Sequence, residues 1–205
     1  MWPGAVEPDQ IVKEQEQEFH AHEKVIVLDD FLPKEDFNMI KDVMNNPGRG
    51  HPFTWKFVDK VIDDHDLLCD QLDNYQFTHM LYHRGQPRSQ FYELCTPILN
   101  HPKLGVVAVV KVKANLNPRT SEIIEHGFHK DLPFECLTAI YYVNSNNGYT
   151  KFETGQKVQS VENRLVMFNS QTKHTGTTCT DQKARILINF NFFNADIVKK
   201  RESFF

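Results

Sequence analysis

The sequence predicts an α+β fold that is mainly β: a double-stranded β-helix, or jelly-roll, with N-terminal helices packed on one outer face. Three observations predict it. Helical spacing is confined to the first half of the chain, and from Lys111 onward short strand signals alternate with turns. Gly105-Val-Val-Ala-Val-Val-Lys-Val-Lys-Ala114 is a long strand signal, apolar enough to be central. Sixteen Phe against two Trp suit a sheet-rich core better than a helical bundle. Helices first and strands afterwards give the layered α+β order.

In chain order, residues 1–23 are polar, carry two early prolines, and read as a lead-in to a single domain over residues 24–205. His20 and His22 within it read as solvated histidines. Val25-Ile-Val-Leu28 is a short strand. Pro33 marks a helix start, after which Phe37, Ile40 and Val43 or Met44 repeat at helical spacing until the turn residues Asn45-Asn-Pro-Gly-Arg-Gly50. Phe53–Val58 alternates as a half-buried strand, and Tyr75–Tyr82 is the next strand. Between them lies the acidic stretch Asp59–Asp73, read either as a solvated loop with a short helix or as a lid over a substrate. Arg84–Ser89 is a turn, with Ser89 capping a helix that carries Phe91, Leu94, Cys95 and Ile98. Further strands are expected over residues 136–144, 149–153, 164–169, 173–179 and 184–193. Asn144-Ser-Asn-Asn-Gly148 predicts a hairpin between the first two.

Composition removes several function classes. A formal charge of −4 gives no general attraction to nucleic acid or to an anionic membrane. No apolar run approaches a transmembrane length and no signal-peptide pattern opens the chain, so a cytoplasmic protein is expected. Cys69, Cys95, Cys136 and Cys179 lack any paired spacing and read as buried, reduced thiols.

The chemistry gathers around Glu125-His-Gly-Phe-His-Lys-Asp131. His129 and Asp131 stand at i and i+2, so on an extended strand both project from one face. Two imidazoles and one carboxylate on one side of a metal form the facial triad of non-heme iron(II) sites, which leaves the opposite positions open. His174, in a later strand-rich stretch, is the expected third ligand. Arg185 follows it by eleven residues (185 − 174) and opens Arg185-Ile-Leu-Ile-Asn-Phe-Asn-Phe-Phe, whose apolar run places the cation in a buried neighbourhood. By spacing alone His126 rivals His129, and Asp64-His-Asp66 offers similar groups without a downstream partner.

His129-Lys-Asp131, Ile140-Tyr-Tyr142-Val-Asn, Asn147-Gly-Tyr-Thr-Lys-Phe152, His174 and Arg185 resemble the iron(II)/2-oxoglutarate dioxygenases of the prolyl 4-hydroxylase-like group, above all its small stand-alone microbial and viral members. The resemblance covers roughly residues 24 to 193. It implies Fe(II) on His129, Asp131 and His174, with 2-oxoglutarate as cosubstrate, O2 as oxidant and ascorbate as a reductant. Arg185 matches the basic residue that meets the far carboxylate of the cosubstrate, and Tyr142 the tyrosine that reaches the same group, with Tyr141 facing the core. Asn189, on the face of Arg185, matches a polar position often held by Thr, and Asn115 and Thr150 are expected to line the pocket. The implied reaction is oxidative decarboxylation to succinate and carbon dioxide coupled to hydroxylation of an unactivated C–H bond, in a prolyl residue of a peptide or in a small molecule. The resemblance leaves the oligomeric state open. Tyr149 stands where a second glycine is frequent and Asn191 where an aromatic is frequent. Two other classes share the fold: a cupin-like metal enzyme that does not use 2-oxoglutarate, and a metal-free binding module. The first needs more histidines and neither Arg185 nor Tyr142, and the second has no use for an intact triad.

Overall fold

The structure is a computed structural model that describes residues 25–45 and 53–202. The lead-in expected over residues 1–23, with His20 and His22, and the turn expected at Asn46–Gly50 lie outside these residues. The chain begins with β1 (Ile26–Leu28), α1 (Lys34–Asn45), β2 (Lys56–Val58), β3 (Gln76–His83), β4 (Gln86–Pro87) and the one-turn α2 (Thr96–Leu99). It continues with β5 (Val106–Pro118), β6 (Leu137–Tyr142), β7 (Tyr149–Phe152), β8 (Lys157–Gln159), β9 (Leu165–Asn169), β10 (His174–Gly176), β11 (Ala184–Asn194) and α3 (Ala195–Glu202). An antiparallel sheet runs β1-β9-β6-β11-β5-β3-β2, with β4 on β3, and a smaller one runs β10-β7-β8. The two sheets form the expected double-stranded β-helix.

Alternation decides which side of the large sheet each residue serves. On β6, Leu137, Ala139 and Tyr141 join the core beneath the helices, while Ile140 and Tyr142 join a second cluster inside the barrel. On β11, Ile186, Ile188, Phe190 and Phe192 pack beneath the helices, which leaves Arg185, Leu187, Asn189 and Asn191 for the interior. α1 meets that core through Phe37, Ile40, Val43 and Met44, a stripe at helical spacing, and Glu35 and Asp36 occupy its first turn, where the helix dipole favours acids. No helix among the described residues is long and apolar enough to cross a membrane.

Three expectations are corrected. Asn144–Gly148 is not a hairpin: β6 pairs with β9 and β11, whereas β7 pairs with β8 and β10, so this stretch crosses between sheets. Its turn residues finish the sheet edge instead. The Asn144 side chain donates to the Ala184 carbonyl (2.8 Å) and accepts from the Ile186 amide (2.9 Å). The actual hairpin joins β7 to β8, a strand that the sequence did not signal. Phe53–Val58 keeps strand pairing only from Lys56, since Phe53 and Trp55 turn into an aromatic cluster with His79 and Phe91. The helix capped by Ser89 is a 3-10 segment, Gln90–Cys95, running into α2, with Cys95 and Ile98 buried. There Ser89 Oγ accepts from the Phe91 amide (3.2 Å), and Pro97 follows at the start of α2.

One polar knot ties the N-terminal segment to the barrel. Asn163, at φ +60°, accepts through Oδ1 from the Leu32 amide (3.0 Å) and the Tyr141 hydroxyl (2.7 Å), and its amide nitrogen donates to the Leu32 carbonyl (2.9 Å). Asparagine tolerates that left-handed backbone better than most residues. Asn163→Ala is expected to destabilise the protein by roughly 2–4 kcal/mol, from three bonds at about 0.5–1.5 kcal/mol each. A lowered urea midpoint with an unchanged slope checks this.

Candidate active site

The chain from Arg119 to Asp131 runs beside residues 174–179 and widens the small sheet through bridges at Arg119–Cys179, Glu125–Thr177 and His129–His174. His129 and His174 exchange both backbone hydrogen bonds, each 3.0 Å, so they sit directly opposite and their rings lie 4.7 Å apart. Asp131, two residues on, faces the same way. Asp131 Oδ1 is 3.9 Å from His129 Nε2 and 3.8 Å from His174 Nε2, and the three donor atoms all lie within 4.8 Å of one another. His126 is not part of this cluster.

Hydrogen bonds orient each ligand. His129 Nδ1 faces the Gly127 carbonyl (3.4 Å) and His174 Nδ1 the Thr172 carbonyl (3.1 Å). A carbonyl only accepts, so the proton belongs on Nδ1 and the lone pair of each Nε2 points to the shared centre. Asp131 Oδ2 accepts from the Thr138 hydroxyl (2.7 Å), Asn189 Nδ2 (3.2 Å) and Asn191 Nδ2 (3.2 Å), which turns Oδ1 toward the imidazoles. Burial would raise the Asp131 pKa, but His174, Lys111, His129 and the Thr138 hydroxyl outweigh it and hold the carboxyl well below its usual range. Burial, reinforced by His174, pushes His129 down to about 4. A neutral nitrogen pair and one charged oxygen are what a hard-to-borderline divalent ion requires, so the residues present fit ferrous iron.

The same cavity continues to Arg185, and Thr150, Asn115 and Asn189 line it. Arg185 is 1% exposed. Its Nε donates to Ser160 Oγ (2.7 Å), one terminal nitrogen to Thr150 Oγ1 (3.1 Å) and the other to the Thr177 carbonyl (3.4 Å). No carboxylate pairs with it among the described residues, and burial lowers its pKa. Gly148 makes room for it: a Cβ there would lie 2.7 Å from Arg185 Cδ and 2.6 Å from the Thr178 carbonyl oxygen. Tyr142 stacks under the guanidinium at 5.5 Å and donates to Thr150 Oγ1 (2.8 Å), so it stands behind Thr150 rather than on the cavity wall. Asn115 Oδ1, His126 Nε2 and Asn189 Oδ1 line the cavity without a hydrogen-bond partner among the described residues. Buried polar atoms left this way mark a place for a polar ligand.

The acidic stretch closes over the Arg185 end. It contains two 3-10 turns, Asp64–Asp66 and Gln71–Asp73. The Leu68 amide donates to the His126 carbonyl (2.9 Å), and Val61 lines the cavity. Gly127, at φ +149°, permits this closure, since a Cβ there would overlap the Asp66 carbonyl oxygen.

Sequence reasoning missed Thr138 and Asn191, which hold Asp131, and Lys113, Asn117 and Gln76, which line the cavity. Alternation carried the signal for most of them: Asn191 continues 185, 187, 189, and Lys113 stands in step with Asn115 and Asn117 on β5. Lys113 is half-buried, and desolvation with Lys111 nearby pushes it down to about 8.

Thr138→Val and Asn191→Leu are each expected to weaken Fe(II) binding about 10–100-fold, the usual cost of losing a group that orients a metal ligand. Competition against a coloured chelator reads this directly. Because folding depresses the pKa of His129, the metal-free unfolded chain binds more protons between pH 6.5 and about 4, and stability falls as pH drops through that window. The thermal midpoint of metal-free protein should decline there, with a shallower decline in His129→Asn.

No protein-family model and no curated protein matches the chain. Solved structures do. A 2OG-Fe(II) oxygenase-family oxidoreductase from Burkholderia pseudomallei superposes with a TM-score of 0.61 at 10% identity, over 94% of this chain and 93% of that one. The non-heme alpha-ketoglutarate-dependent epimerase SnoN of nogalamycin biosynthesis gives 0.62 at 9%, over 91% and 84%. A prolyl hydroxylase from Trichoplax adhaerens, in complex with a hypoxia inducible factor peptide fragment, gives 0.53 at 13%, over 94% and 96%. The chain therefore has the fold shared by 2-oxoglutarate/iron(II) oxygenases and prolyl hydroxylases.

Proposed function

We propose that this protein is an iron(II)- and 2-oxoglutarate-dependent dioxygenase that hydroxylates an unactivated C–H bond in a peptide or small molecule, releasing succinate and carbon dioxide. One observation carries the reading: a single cavity joins the His129, Asp131 and His174 donors to Arg185, a buried cation with no carboxylate partner among the described residues. His129 Nε2, Asp131 Oδ1 and His174 Nε2 would hold the metal, which supplies the oxidising chemistry when O2 and 2-oxoglutarate are bound. Arg185 meets the far carboxylate of 2-oxoglutarate, because a guanidinium fork can give two parallel bonds to that group. Ser160 and the Thr177 carbonyl fix the fork from behind, and Thr150 shares its hydroxyl between Arg185 and Tyr142. The residues over the Arg185 end exclude water, which strengthens that charge pairing.

Anaerobic addition of Fe(II) and 2-oxoglutarate tests the reading. A weak visible charge-transfer band is expected, and its absence from folded, metal-loaded protein overturns the proposal. His129→Ala, Asp131→Ala and His174→Ala should each abolish succinate formation with the circular dichroism retained. Arg185→Ala should raise the 2-oxoglutarate requirement a few hundredfold, since an unpaired buried charge costs about 3–5 kcal/mol. Tyr142→Phe removes one neutral donor, worth about 0.5–1.5 kcal/mol, and should weaken the same ligand far less.

A further inference from the structure

Two lysines share the interior with the metal donors. On β5, Lys111, Lys113, Asn115 and Asn117 alternate onto one face, and the register with β11 sets them opposite Asn191, Asn189, Leu187 and Arg185 in turn. Lys113 lines the cavity, and both lysines are half-buried. Neither ammonium has a hydrogen bond or an ion pair among the described residues. Asn189 and Asn191, their partners on β11, are the residues that hold Asp131, so the lysines flank the metal donors. Arg185 lies four residues further along the strand, roughly 13 Å at 3.3 Å per residue. Its fork is held at that end by Ser160, Thr150 and the Thr177 carbonyl, whereas Lys113 stands in register with Asn189 at the metal end.

Charge balance indicates what the lysines await. The cavity is lined by three charged side chains, Asp131, Arg185 and Lys113. With the cosubstrate bound, the charges of ferrous iron and Arg185 are matched by Asp131 and the two carboxylates of 2-oxoglutarate. Lys113, on the cavity wall, then remains as unmatched positive charge beside the metal, with Lys111 next to it on the same strand face. A cation held out of water without a partner is costly, and such sites in folded proteins are paired or ligand-binding.

We propose that the primary substrate carries an oxyanion, a carboxylate or a phosphate, that docks on Lys113 with Lys111 adding attraction, so that its reacting carbon is held across from the metal. This rests on the dioxygenase reading of the cavity and selects within it: neutral and cationic substrates would leave the lysines unmatched. The acidic stretch Asp59–Asp73 does not oppose this, because it meets the site through Leu68 on the His126 carbonyl and Asp66 against Gly127, toward the Arg185 end.

The test uses the full-length protein with Mn(II) in place of iron. Titration of wild-type Fe(II) protein with 2-oxoglutarate, read from the visible band, first tests the cosubstrate reading by itself. Phosphate and acetate are then added separately to Mn(II) protein saturated with 2-oxoglutarate, with acetamide as the neutral control. Paramagnetic relaxation of phosphorus and of the acetate carbons reports binding near the metal. Saturable enhancement is expected for at least one anion and not for acetamide, and whichever anion binds tighter names the group. Lys113→Met should weaken the anion about tenfold or more, equivalent to about 1.4 kcal/mol. Lys113→Arg should restore most of it, and Lys111→Met should have an intermediate effect. If Lys113→Met does not fold, Lys113→Arg and Lys111→Met decide: the proposal requires retention in the first and weakening in the second. No enhancement in wild-type protein overturns the proposal, and so does equal enhancement in Lys113→Met, which would mean that the anion ligates the metal directly. Either result leaves the visible band, and with it the dioxygenase reading, standing.

Discussion

A carboxylate sealed inside a protein must be paid for by its neighbours, and Asp131 is that carboxylate. Three donors, from Thr138, Asn189 and Asn191, converge on one of its oxygens, and two imidazoles face the other. Those groups come from β6, β11, β10 and the segment before β6, so the site exists only when both sheets are assembled. The barrel interior is thus organised around one negative charge. The apolar face of the same strands, through Ile186, Ile188, Phe190 and Phe192, supplies the packing that keeps the polar face in register.

Polarity changes along the barrel axis. At one end Arg185 sits among hydroxyls and a carbonyl, closed over by the segment that touches His126 and Gly127. Leu187 and Ile140 form an apolar middle on the cavity wall, and the metal donors lie beyond with Lys113 at their level. A dicarboxylate with an apolar centre suits the first two zones. The third zone presents positive charge at the level of the His129, Asp131 and His174 donors, and it differs from the first in using ammonium groups rather than a guanidinium fork.

Period-2 alternation made much of this legible in the sequence. It put His129 with Asp131 and Arg185 with Asn189, and helical spacing placed α1 with its buried stripe. What stayed hidden depends on contacts between distant segments. Asn144–Gly148 reads as a hairpin because turn chemistry is local, and only pairing of β6 with β9 and β11 reveals a crossing between sheets. Thr138 looks like any strand threonine until Asp131 is brought to it. Lys111 and Lys113 look like solvent-facing charges, since nothing local says that their face is the inside of a barrel. Ser160 was hidden likewise, because its partner Arg185 is twenty-five residues away.

The central place of β11 has a consequence for biogenesis. This strand lies between β5 and β6 and follows all its sheet partners in the chain, being the last of the described strands. Until it emerges, β5 and β6 lack a shared neighbour, and the aromatic side chains beneath the helices have no completed sheet to cover them. Such nonlocal pairing slows folding and lengthens the period in which strand edges lie open to aggregation. A nascent chain stalled before Asn194 would be a client for chaperones rather than a smaller folded protein, so quality control of this fold waits on synthesis of its central strand.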